Sequence, residues 1–163
     1  MKLYIKNKLI SLGGSSEILN ENKQPVYIVK GKVFSPTKKK FIQDLEGNTL
    51  YIIRNKYWRM FKHSCFIYDN EKNRIAKITK KFFSIGGKFY VEGYKDEIKI
   101  EGSWKKRASD IIRNGEIIGT VRREFDLFKD SFVLDAKDDD IEFLTALVIA
   151  IDNIRDAERE EHD

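Results

Sequence analysis

Residues 141–154, IEFLTALVIAIDNI, restrict the fold more than any other stretch of the chain. Ten of these fourteen residues are apolar. At the ~100° per residue of an α-helix, Ile141, Phe143, Leu144, Ala146, Leu147, Val148, Ile149, Ala150, Ile151 and Ile154 cover nearly the whole circumference. Glu142, Thr145, Asp152 and Asn153 share the one polar sector, and Ile149 interrupts it. A helix apolar almost all round has to be surrounded. A bilayer span takes ~20 apolar residues, so this segment is too short for lipid and its surround must be protein.

The preceding chain is patterned to supply that surround. Lys8-Leu9-Ile10-Ser11 is echoed by Lys32-Val33-Phe34-Ser35, Lys56-Tyr57-Trp58-Arg59 and Lys81-Phe82-Phe83-Ser84. Ten or eleven residues after each lysine stand Ile18, Ile42, Ile67 and Val91, and the first three are followed two positions on by Asn20, Asp44 and Asp69. Self-similarity of this kind marks a repeated supersecondary unit. Runs rich in Ile, Val, Tyr and Phe between Asn/Asp/Gly clusters make the unit a β-hairpin. Asn114-Gly115 carries the strongest short hairpin signal, and Gly31 inside an apolar run predicts a bulge or bend. Twelve strands are expected, near 2–12, 15–20, 25–35, 39–44, 49–60, 64–69, 74–85, 87–92, 96–102, 107–113, 117–126 and 130–136.

A dozen antiparallel strands and one helix that must be enclosed have a natural joint solution. Twelve strands ~4.8 Å apart and tilted ~40° close into a barrel roughly 24 Å across, wide enough for a helix and one layer of side chains. The expected fold is therefore mainly β, a closed antiparallel barrel of about twelve strands wrapped around one buried C-terminal hydrophobic helix. It forms a single domain over 1–163, with strands in 2–136, the helix at about 138–157 and a polar acidic tail at 158–163. Asp138, Asp139 and Asp140 would cap the helix start, where carboxylates favour free N–H groups and the dipole, with Arg155 near the other end. A filled bore leaves no ligand cavity, so binding must use the outside, the rims or the loops. A β-sandwich with the helix on one face is the competing architecture, and the all-round apolar helix argues against it.

Particular residues also carry a family resemblance. The Ser-Leu-Gly-Gly (11–14) and Ser-Ile-Gly-Gly (84–87) strand ends and the Asp44-to-Gly47 hairpin are part of it. The ending is the rest, Asp130-Ser131-Phe132-Val133-Leu134 with Leu144-Thr145-Ala146-Leu147-Val148-Ile149-Ala150-Ile151-Asp152. Together they resemble the LURP-one-related family, which is similar in fold to the Tubby C-terminal domain and the phospholipid scramblases. The resemblance spans the chain and implies a twelve-stranded barrel around a C-terminal helix. Tubby domains bind phosphatidylinositol bisphosphate through surface basic residues and scramblases act at membranes, so the resemblance also implies contact with anionic phospholipid headgroups. No site transfers residue by residue.

Charge fits that expectation in kind. The net charge is +5, yet the chain from Asp135 onward holds eleven acids against three bases, so the preceding 134 residues are strongly basic. Candidate lipid-binding residues are Lys38, Lys39 and Lys40, Lys80 and Lys81, Trp104, Lys105, Lys106 and Arg107, and Arg122 and Arg123. Clustered Lys and Arg contribute ~1 kcal/mol each at an anionic membrane surface, and Trp104 would be an interfacial anchor. The plain alternative is a solvated surface whose lysines keep strand edges from pairing.

Other chemistry finds little support. His63 and Cys65 are the one soft ligand pair, without partners at metal-site spacing, and the Asp138–Asp140 run lacks the pattern of a calcium loop. Gly13-Gly14 and Gly86-Gly87 open no helix and are not phosphate loops. No nucleophile stands with a base, so neither an enzyme nor a cofactor is expected. Cys65 is the single cysteine and excludes a disulfide framework, and Lys6 and Lys8 break any signal-peptide apolar run. The expected place is the cytoplasm, with peripheral contact to the inner membrane face open to it. Two further classes stay in play, a scaffold for a protein partner and a non-specific nucleic-acid binder; the oligomeric state is open.

Overall fold

A computed structural model describes residues 1–6, 14–56, 64–81, 87–102, 108–124 and 131–162, without the side chains of 138 and 159–162. The strands are β1 (Lys2–Lys6), β2 (Ser15–Leu19), β3 (Pro25–Gly31), β4 (Lys40–Gln43), β5 (Thr49–Asn55) and β6 (Ser64–Tyr68). They continue as β7 (Arg74–Lys80), β8 (Phe89–Glu92), β9 (Ile98–Gly102), β10 (Ala108–Arg113), β11 (Glu116–Glu124) and β12 (Ser131–Ala136). Each strand pairs antiparallel with its neighbours in sequence, and β1 pairs with β12, so the sheet is a closed barrel without a free edge. A 3₁₀ turn at Asp138–Asp140 leads into helix α1 (Ile141–His162).

The sequence repeat is a hairpin repeat. After Ile18, Ile42 and Ile67 the strand register slips by one residue, and Asn20, Asp44 or Asp69 then opens the turn. In each turn the amide of the opening residue donates to the carbonyl four positions on, as Asp44 does to Asn48 at 3.0 Å. The amide three positions on donates back, as Gly47 does to Asp44 at 3.2 Å. The side-chain oxygen of the opening residue accepts the amide at the far end, in Gln24, Asn48 and Asn73 alike. This is a three-residue hairpin loop, a type I turn closed by a residue in the left-handed region. Lys23, Gly47 and Lys72 hold that place at φ 60°, 89° and 68°. Hydrogen bonds from Asn48, its side chain above all, hold the Asp44 carboxyl below the usual carboxylate range.

Period-two alternation turns one face of every strand inward. Leu3, Ile5, Ile18, Val29, Ile42, Ile53, Ile67, Ile78, Phe89, Ile100, Ile111 and Leu134 are all buried there. They pack against α1, whose residues 141 and 143–154 are buried; Glu142 is exposed. The polar members of that stretch are buried with the rest. Thr145 satisfies itself by donating from Oγ1 to the Ile141 carbonyl at 2.6 Å. Phe143 stacks on Tyr94 with centroids 4.0 Å apart and meets Tyr51 edge-on at 6.4 Å. Asp140 lies 2.7 Å from Arg113, an ion pair that fastens the helix entry to the end of β10.

The structure corrects three local expectations. The strand expected over 25–35 stops at Gly31, because the chain turns through 32–39 with Phe34 and Lys38 at φ 54° and 48°. The bulges lie beside Ile18, Ile42, Ile67 and Ile111, whereas the register through Gly31 is continuous. The tail expected at 158–163 is helical to His162, its Glu158 carboxylate fastened to Lys80 Nζ at 2.7 Å and 2.8 Å. The strand ends expected over 7–12, 57–60, 82–85 and 125–126, along with Gly13, Trp58, His63 and Gly86, lie outside the described residues.

Candidate anion-binding rim

Antiparallel closure gives the barrel two unlike ends. One is the hairpin rim, made of the turns 20–24, 44–48, 69–73, 93–97 and 114–115 and the helix entry 137–140. The other is the loop rim, where β1 passes to β2, β3 to β4, β5 to β6, β7 to β8, β9 to β10 and β11 to β12. The described residues between strands at the loop rim include Lys32, Lys38, Lys39, Lys56, Lys81 and Lys88 and no acid. The hairpin turns and helix entry contain ten acids, Glu21, Asp44, Glu46, Asp69, Glu71, Asp96, Glu97, Asp138, Asp139 and Asp140, and four lysines. Acids reach the loop rim from elsewhere, because α1 leaves the barrel there with Asp156 near Lys40 and Glu158 on Lys80, and Lys88 lies 3.4 Å from Glu101. A cleft lined by charges of one sign concentrates anions, so the clefts of this rim matter more than its total charge.

The expected lipid-binding residues divide on this frame. Lys39 stands with two cations that sequence reasoning did not select. Lys32 donates its amide to the Lys39 carbonyl at 2.8 Å, and Arg54 reaches the same place from β5. Lys32, Lys39 and Arg54 line a shallow groove of about 430 Å³ with Phe34, Ser35, Pro36 and Thr37. Burial and the like charges of Lys32, Arg54 and Lys72 push the Lys39 ammonium below its ordinary value. The hairpin pairing Lys40 with Ile53 is what sets residue 54 beside 39. That register follows from the Asp44–Asn48 turn, so the turn was the signal that could have found Arg54.

Lys40 points the other way. It is 3% exposed, against Ile5, Phe132, Val148, Ile149 and Asp152, in a gap with no free volume (about 0 Å³). Burial pushes its ammonium down, and the Asp152 and Asp156 carboxylates of α1 oppose that shift. A strand alternates faces, so a run of three lysines entering one cannot present all three outward. Lys40 is thus a core cation and offers nothing to an external surface. Near it, Asn55 donates from Nδ2 to the Asn153 carbonyl at 3.1 Å, and burial pushes the Cys65 thiol up to about 12.

The other candidates do not converge on that groove. Lys80 is paired with Glu158, and Lys81 sits 5.8 Å from the Tyr90 ring centroid. Lys80 ends β7 and Lys81 follows it, three strands round from β4. Arg122 is exposed on β11, across the barrel from β4, and Arg123 is half-buried. Trp104, Lys105, Lys106 and Arg107 lie outside the described residues. A second groove of about 490 Å³ mixes Lys56, Arg74 and Lys77 with Glu92. Lys77 is 3.1 Å from that acid, which makes this groove a poorer anion site.

The model of one family, LURP-one-related, matches residues 1–152. The chain belongs to the LURP-one-related family. No curated protein and no solved structure gives a significant match. Among the described residues of this LURP-one-related barrel, no helix is long and apolar enough to cross a membrane. No group of three or more His, Cys, Asp or Glu among them could hold a metal ion. The family match ends at Asp152, which in this LURP-one-related chain is the carboxylate facing Lys40.

Proposed function

We propose that this protein is a non-catalytic binding module whose loop rim contacts anionic phospholipid headgroups at a membrane surface, with the cytoplasmic inner face as its place of work. The observation that supports it is the groove at the loop rim, whose lining carries the cations Lys32, Lys39 and Arg54 and no carboxylate. Charges gathered at one end of a short cylinder can meet a flat anionic surface together, and each adds ~1 kcal/mol within a Debye length. Charges scattered round the wall cannot. A bore filled by α1 directs any such binding outward.

The test is flotation with phosphatidylcholine vesicles and with vesicles containing phosphatidylglycerol, at low and physiological salt, with duplex DNA as competitor. Binding to the anionic vesicles that survives DNA is the expected result. Charge reversal at Lys32, Lys39 and Arg54 should abolish it, whereas reversal of Glu46 and Glu71 at the hairpin rim should not. Loss of all vesicle binding to DNA would point to nucleic acid, whose contacts need the same cations and weaken steeply with salt. No vesicle binding under any condition would sink the lipid reading.

A further inference from the structure

Among the described residues, two neighbouring large apolar side chains project from the loop rim. Phe34 is 99% exposed and Val33 is 54% exposed. Phe34 also holds φ 54°, the left-handed region that a bulky residue adopts only under constraint. Asparagine or glycine would sit there with less strain. The constraint is visible behind it. Lys32 donates its amide to the Lys39 carbonyl at 2.8 Å and Lys38 to the Ser35 carbonyl at 3.0 Å. Lys39 donates its amide to Ser35 Oγ at 3.0 Å, and Asn153 of the central helix donates to the Lys38 carbonyl at 2.9 Å. The loop is therefore pinned to the core, and the residue it displays is a strained, solvated phenyl ring. Strain at an exposed ring, outside the regular hairpin turns, is a ground for assigning the position a function.

We propose that residues 32–39 are a membrane-docking loop, in which Phe34 and Val33 enter the interfacial layer of an anionic bilayer while Lys32, Ser35, Lys39 and Arg54 receive a lipid phosphate in the groove behind. This rests on the headgroup reading above and assigns it a place and a depth. The cations flank the ring, so the loop offers an apolar tip inside a basic collar, the pattern of segments that lie in a membrane interface. A free phosphate would use the groove alone and have no need of the ring. A bilayer presents phosphates and hydrocarbon within a few ångströms of each other and uses both.

The experiment reads depth and affinity separately. Phe34→Cys, labelled with an environment-sensitive nitrobenzoxadiazole dye, is mixed with phosphatidylcholine or phosphatidylglycerol vesicles, or with inorganic phosphate. Cys65 is fully buried and is expected to stay unlabelled. Ile117→Cys at the hairpin rim is the control. The expected result is brightening at position 34 with phosphatidylglycerol vesicles only, and none at 117. Unlabelled Phe34→Ala should bind these vesicles about tenfold more weakly, as loss of one buried aromatic ring implies. Phe34→Asn should bind as weakly yet melt higher, because it relieves the φ strain; a ring needed for folding would move stability the opposite way. A dye that stays in water while the protein still floats with the vesicles would overturn the loop assignment and leave the basic-rim reading standing. No flotation at all would remove both.

Discussion

Asn153, in the middle of the barrel, holds the backbone of Lys38 at the rim. Its Nδ2 donates to the Lys38 carbonyl across 115 positions of sequence at 2.9 Å. Asn153 is fully buried and the bond itself is part-buried, so the helix reaches the rim and holds the loop directly. Replacing Asn153 with Ala leaves a Lys38 acceptor without its donor and should lower stability by about 2 kcal/mol. It should also speed tryptic cleavage at Lys38 or Lys39. Urea unfolding with limited proteolysis checks both, and an unchanged cleavage rate would show that the loop does not depend on the helix.

Lys40 and Asp152 form the second link between wall and helix. Asp152→Asn would leave a buried ammonium with less compensation, and such losses run to about 3–5 kcal/mol. Lys40→Met in that background should restore much of it, since two neutral groups need no partner. A double-mutant cycle measured by chemical denaturation gives the coupling. Strict additivity of the two changes would mean that the charges do not support each other.

The hairpin turns predict opposite signs for two glycine exchanges. Gly47 stands at φ 89°, and a Cβ there would meet nothing within 4 Å. Gly47→Ala should therefore lose only the conformational preference, about 1 kcal/mol. Lys72 holds the same place in the next hairpin at φ 68°, so Lys72→Gly should gain a comparable amount, less the entropy glycine adds to the unfolded chain. Thermal melts of the two variants decide, and equal signs would contradict the shared turn.

Tyr27 links helix entry to alkaline pH. Its burial, with the charge and hydrogen bond of Glu142, raises the phenol from 10.0 to about 12. A folded value above the unfolded one means stability that is complete below pH 10 and is lost as pH rises through about 12. Tyr27→Phe should flatten the part of the pH–stability curve between those limits that belongs to this phenol. Denaturation at pH 8 and at pH 11 measures it; identical slopes for variant and parent would exclude Tyr27 as the source.

The helix is the core, so removing it should leave no barrel. A chain ending after Ala136 loses Ile141, Phe143, Leu144, Leu147, Val148, Ile151 and Ile154, all buried, and opens a bore lined with apolar side chains. Circular dichroism and dye binding should report an unfolded or aggregated chain. A soluble, cooperatively melting product would refute the part assigned to α1.

The sequence by itself determined the architecture, because its two strongest patterns have one joint solution. The all-round apolar run at 141–154 requires enclosure, and alternating hairpin units with Asn20, Asp44 and Asp69 at their tips build a wall of the right circumference. Those signals are local, periodic and carried by many residues. The site was legible only in part. Lys38 and Lys39 stood out as a charge run, but three adjacent lysines do not say which way each points. Only the tertiary structure turned Lys40 inward to Asp152, set Arg54 beside Lys39 through strand register, and left Phe34 uncovered at the rim. Each of these depends on where a strand ends and on what another segment, distant in the chain, packs against, and neither is written in the composition of the segment itself.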